Sequence, residues 1–238
     1  MNIRKMVSIF FAALICISAA GAQDTAKPET TIRERTVEEL YLENIETRII
    51  REQAVNPEYE TKRLALENLQ DMLDNGKLTA DSKDAITLLS FLSMEGTGRI
   101  IREGGRIINN YPDIRMLSCR ILGEVGGVDA ENTLIDVVRW DAEPMVLAEA
   151  AYALGKIGGT GDNAIIPILA EKIIKWNITK PDNNFAFATI LAFEKIAEKN
   201  NGITDQAVFQ ALVQISQGNY IKDVRMKALE VLDKMRRY

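Results

Sequence analysis

The sequence predicts an all-α fold: an α-α superhelix of about four to five stacked helix pairs, preceded by an N-terminal cap helix. Three observations predict it. Apolar residues recur at helical rather than alternating spacing. Leu, Ile, Ala, Glu and Lys dominate, while aromatic residues make up only 6%. One apolar pattern returns five times along the chain, at spacings that suit a two-helix unit.

The elements follow in chain order. Arg4 and Lys5 form a positive n-region, Met6 to Ala20 is apolar apart from Ser8 and Ser18, and Ala20-Gly21-Ala22 offers a small-x-small cleavage site. Residues 1–22 therefore read as a signal peptide cleaved after Ala22, too short in its apolar part for a membrane span. The expectation is a periplasmic or otherwise exported protein with no stable membrane insertion after cleavage. Cys16 sits in the apolar run behind Ile15, where lipoprotein signals place a small residue, so it reads as a small apolar side chain. Residues 23–36 (QDTAKPETTIRERT) are polar and aperiodic and read as a flexible linker. Thr36 and Glu39 fit a capping box opening a helix over 37–56, with Val37, Leu40, Tyr41, Ile45 and Ile49 on one stripe. Its expected role is to cover the open end of the stack.

From Pro57 to residue 238 lies the repeat domain. Segments 61–69, 114–126, 146–158, 185–197 and 224–232 can be superposed. Three columns result: Thr61/Ile114/Val146/Phe185/Val224, Ala65/Ser118/Ala150/Thr189/Ala228 and Leu69/Leu122/Leu154/Phe193/Leu232. Second helices are expected at 131–140, 164–176 and 205–216, with Asp129, Asp162 and Thr204 as N-caps and glycines closing the first helices. The longest gap between copies holds two further expected helices, at 80–94 and at 97–110, the latter interrupted by Gly104-Gly105.

Residues 143–158 (EPMVLAEAAYALGKIG) resemble the HEAT-like repeat of the phycobilisome-lyase type, which reads D-x-x-V-R-x-x-A-A-x-A-L-G-x-I-G. Residues 112–126 match in register through Pro112/Pro144, Gly123/Gly155 and Gly126/Gly158, and Asp223-Val224-Arg225 keeps the repeat's signature. Leu147 replaces the usual Arg, and Glu194 and Ala197 stand where glycine is expected. The resemblance implies a scaffold built of stacked helix pairs; nothing in the residues points to tetrapyrrole chemistry.

Composition narrows the chemistry. The chain has no histidine, which removes Ser-His-Asp and Cys-His arrangements and histidine-based zinc sites. Without residues 1–22 only Cys119 remains, so no intramolecular disulfide can form, and Cys119 reads as a buried, inert thiol. Losing Arg4 and Lys5 leaves 27 cations against 34 carboxylates, a net charge of −7 that disfavours nucleic acid as a partner. Gly158-Gly159-Thr160-Gly161-Asp162 looks like a phosphate loop but lacks the Lys-Ser/Thr that follows one, and the Asp/Asn turns lack calcium-ligand spacing. No catalytic motif, metal or cofactor is implied.

The candidate partner-binding residues are Arg139, Trp140, Lys175 and Trp176. Both pairs end a second helix, the helix expected to line the concave face, and Trp and Arg are enriched at binding hot spots. They would grip an acidic or peptide segment if exposed; otherwise each Trp packs beneath the next repeat. The expected function is an exported, non-catalytic scaffold for a protein partner in the cell envelope. The alternatives are a carboxylate-based envelope hydrolase and a structural subunit of an envelope or motility complex.

Overall fold

A computed structural model describes residues 36–159 and 165–237, without the side chains of 38–44. The expected signal peptide with Cys16, the linker up to residue 35 and the proposed Asp162 cap lie outside the described residues. The chain divides after Leu40, and the body described below runs from Tyr41 onward.

The described residues are mostly helical, so the all-α expectation holds. The helices are α1 (Val37–Val55), α2 (Tyr59–Asp74), α3 (Lys83–Ser93), α4 (Pro112–Val125), α5 (Gly127–Trp140), α6 (Pro144–Ile157), α7 (Ile165–Thr179), α8 (Asn183–Asn200), α9 (Gln206–Gln217) and α10 (Lys222–Met235). Two short strands, β1 (Arg102–Glu103) and β2 (Arg106–Ile107), lie between α3 and α4. Local chemistry sets many of the helix ends. Pro112 and Pro144 open α4 and α6, where a missing N–H is harmless. The Asp182 carboxylate accepts the Phe185 N–H at 2.9 Å to cap α8, and Asp205 accepts the Ala207 N–H at 2.8 Å to cap α9. Left-handed residues close two of the first helices: Gly158 (φ 76°) after α6 and Asn201 (φ 54°) after α8.

The helices form two rows. In the first, α2, α4, α6, α8 and α10 each pack on the next; in the second, α3, α5, α7 and α9 do the same. The three sequence columns lie on the first-row helices. Every member is buried except Thr61, whose neighbour Lys62 turns inward instead. The polar members of the second column satisfy themselves: the Ser118 hydroxyl donates to the Ile114 carbonyl and the Thr189 hydroxyl to that of Phe185, both at 2.8 Å.

Glycine sets how close the first-row helices come. A Cβ on Gly123 would stand 2.6 Å from the Ala153 Cβ, and one on Gly155 would stand 2.5 Å from the Ala192 Cα. The glycine of one first-row helix thus receives an alanine of the next, backbone nearly on backbone. In the following copy Glu194 occupies that column. Its carboxylate meets Lys227 at 3.0 Å and Lys234 at 3.2 Å from α10. Burial alone would raise its pKa, yet the two ammonium groups hold it below the usual carboxylate value. An ion-pair cluster therefore joins α8 and α10 at this column.

Four expectations need correction. Residues 97–110 form no helix: Gly104 and Gly105 both take positive φ (56° and 82°) and turn β1 back onto β2. Successive positive φ values suit a tight hairpin turn, and they are incompatible with a helix. The stripe of α1 is rotated from the expected one, since Ile49 is 48% exposed while Ile50 and Ala54 are buried. Asp129 lies inside α5, which starts two residues earlier at Gly127. The cap of α9 is Asp205, one residue beyond Thr204, because its carboxylate reaches the first-turn N–H.

Candidate interaction surface

The turns joining one helix pair to the next lie along one edge of the rows, and polar contacts stitch them together. Arg115, at the start of α4, donates from Nε to Asp141 Oδ2 at 2.6 Å and from Nη1 to the Glu95 carbonyl at 3.0 Å. Asp141 closes α5 and also accepts the Ala142 and Glu143 N–H groups at 2.7 and 2.8 Å. Lys172 donates to the carbonyls of Arg139 and Asp141, and Lys180 to that of Ala142. The Ile221 N–H, in the turn before α10, donates to Asn183 Oδ1 at the start of α8. Each turn is thereby tied to its neighbour.

At the α3–α4 junction the stitching is charged and deeply buried. Lys62 and Glu95 are 2% and 4% exposed and pair at 3.0 Å. Lys62 also donates to the Ala54 carbonyl at 2.8 Å. Asn109 donates to Glu95 Oε1 at 2.7 Å and to the Arg99 carbonyl at 2.6 Å, and accepts the Ile101 N–H at 2.8 Å. Buried charges are tolerable only when paired and hydrogen-bonded, and here both conditions are met.

The four residues singled out from the sequence separate on this edge. Trp140 is 65% exposed at the end of α5. Arg139 beside it is half exposed and pairs within its helix to Asp136 at 2.8 Å. Lys175 is exposed on α7. Trp176 is not a surface residue: it is 8% exposed and stacks edge-on against Phe185 of α8, with ring centroids 5.4 Å apart. Lys172 and Lys180 stand 5.9 and 5.2 Å from its ring centroid. Burial pulls the Lys172 ammonium below the ordinary lysine pKa. Of the two readings left open for the tryptophans, packing holds for Trp176 and exposure for Trp140. Trp176 continues the buried stripe Ile166, Leu169, Ile173 of α7, whereas in α5 the stripe runs Leu134, Val137, Val138 to Asp141 and passes Trp140 by.

Sequence reasoning misses the larger part of the surface. Ile100, Ile107 and Ile108 are exposed on the hairpin, Ile178 is 77% exposed after Trp176, and Ile221 is exposed in the turn before α10. The Gly-Gly pair between two Arg-Ile-Ile runs is the signal that could have found the hairpin, since such a pair between apolar runs marks one.

A cleft of about 150 Å³ between α4 and α6 holds Glu124 and Glu149; Lys156 pairs with the first and Arg120 with the second at 3.2 Å. Cys119 is fully buried, and burial pushes its thiol pKa up, away from the reactive thiolate. Among the described residues no group of three or more Cys, Asp or Glu is placed to hold a metal ion, and no helix is long and apolar enough to cross a membrane. No family model, no curated protein and no solved structure matches the chain.

Proposed function

We propose that this chain is an exported, non-catalytic scaffold of stacked HEAT-like helix pairs, capped at one end by α1, that binds a protein partner in the cell envelope. The observation carrying this reading is the turn edge. There the chain pins its turns with paired, buried groups and leaves Trp140, Ile178 and the hairpin isoleucines in solvent. Large apolar side chains held in solvent on a pinned support are what partner surfaces are made of. The neighbour-on-neighbour rows and the Gly123–Ala153 and Gly155–Ala192 approaches support a superhelix, because they give each pair its interior only through its neighbours. Both carboxylates in the α4–α6 cleft are ion-paired, so the geometry favours a scaffold over a carboxylate hydrolase.

Export is tested by N-terminal sequencing of protein recovered from the cell envelope; the expected first residue is Gln23, and an intact Met1 would refute it. Binding is tested with a photoreactive residue at Trp140, against Val128 as an exposed control position. The expectation is a discrete protein adduct at Trp140. Equal labelling at both positions would refute the site.

A further inference from the structure

The turns 141–143 and 180–182 close a helix pair with three residues each, whereas α3 is joined to α4 by residues 94–111. The surplus forms the hairpin. Its register pairs Arg102 with Ile107 and Glu103 with Arg106, and the Ile108 N–H donates to the Ile101 carbonyl at 3.0 Å. Strand alternation then puts Arg102 and Ile107 on one face and Glu103 and Arg106 on the other, and the Ile108–Ile101 hydrogen bond continues the second face to Ile108. Ile100, Ile107 and Ile108 are exposed, as are Arg99, Arg102 and Arg106. Among the described residues the sheet has these two strands alone, so neither outer edge is paired.

The root is rigid although the tip is in solvent. Lys62, Glu95, Asn109 and Arg115 clamp both ends of the insert inside the body. At Gly96 (φ +75°) a Cβ would fall 2.4 Å from the Asn109 carbonyl oxygen, so the two legs touch through backbone. A connection needed only to span two helices has no use for a buried ion pair at its base.

We propose that this hairpin is a docking prong that seats in a groove of a partner protein with apolar walls and a carboxylate rim. Charge complementarity selects the rim: three exposed arginines against one glutamate make the prong basic on a protein whose net charge is −5. The arrangement selects a groove over a flat lipid surface. The leading residues Glu103, Gly104, Gly105 and Arg106 are polar or lack a side chain, and the isoleucines lie behind them on opposite faces. A plane covers one face; a groove covers both.

This inference rests on the scaffold reading, and its test separates the two. A photoreactive residue replaces Ile107 in the full chain, in the cells that make it, with Trp140 and Val128 positions run in parallel. The expected result is one protein adduct whose mapped segment combines apolar residues with Asp or Glu. Arg102→Glu with Arg106→Glu lowers its yield at least tenfold without moving the urea midpoint, as does Ile100→Ser with Ile108→Ser. Reversing the partner's carboxylates to Lys restores the yield with the Glu variant. An adduct only with lipid or with a second copy of the chain overturns the proposal, as does a partner segment without carboxylates or a yield indifferent to charge reversal. Adducts at Trp140 but none at Ile107 overturn the prong and leave the scaffold standing; adducts at neither position above the Val128 level overturn both.

Discussion

Replacing Gly155 by Ala sets two effects of opposite sign against each other. In an exposed helix interior the change stabilises by about 1 kcal/mol, because glycine is the poorer helix former. At Gly155 the new methyl would stand 2.5 Å from the Ala192 Cα and 2.9 Å from its Cβ, where carbon atoms normally keep roughly 3.5–4.0 Å. The obstacle is backbone, so α8 must move outward by about 1 Å, and overpacking of that kind costs roughly 1–3 kcal/mol. The net expectation is a loss of about 0–2 kcal/mol, read as a urea midpoint that is not raised, with an unchanged slope. Ala192→Gly removes the Cβ at 2.9 Å but keeps the Cα at 2.5 Å. The double variant should therefore fall short of the summed losses by only about 0.5 kcal/mol, the low end for residues in contact. A raised midpoint for Gly155→Ala alone would refute the close approach of α6 and α8.

The buried polar groups make further predictions. Lys62→Met leaves Glu95 buried without its cation and should cost about 3–5 kcal/mol, while adding Glu95→Gln recovers part of the loss; urea titration of both variants checks the order. Leu154→Ala should cost about 2–5 kcal/mol by the same assay, since the side chain is fully buried. The Tyr220 hydroxyl is buried without a hydrogen-bond partner among the described residues, so Tyr220→Phe should be neutral or stabilising below pH 10. Burial, with Asp182 nearby, pushes the Tyr220 pKa up to about 12. A raised folded-state pKa favours the folded state fully below the unfolded value near 10, and that contribution is lost as pH climbs toward 12. The wild-type midpoint should therefore fall relative to Tyr220→Phe between about pH 10 and 12, and a constant difference would refute the assignment.

Helical periodicity makes the rows legible in the sequence. The columns through Leu122, Leu154 and Leu232 are buried, and the glycine register of 123 and 155 is where adjacent helices touch. Periodicity also distinguishes the tryptophans: Trp176 lies three residues past Ile173 on the buried stripe, and Trp140 lies off its own. A shared position at the end of a second helix obscures that difference. The hairpin passes for a helix because its Arg-Ile-Ile runs are too short to separate strand from helix by period. The two glycines between them, both at positive φ, decide it. The turn edge is not legible at all, because Lys62–Glu95 and Arg115–Asp141 join residues 33 and 26 positions apart in sequence. Nothing local marks such pairs.

The central claim is that each helix pair packs on its neighbours to build a two-row stack instead of folding back into a closed bundle. Spin labels at Arg120 on α4, Leu191 on α8 and Glu230 on α10, in protein starting at Gln23, test it by pulsed dipolar spectroscopy. Adjacent helices sit about 8–10 Å apart, so the Arg120–Leu191 distance should be roughly 20 Å and Arg120–Glu230 roughly 30 Å. An Arg120–Glu230 distance no longer than Arg120–Leu191 would contradict the stack.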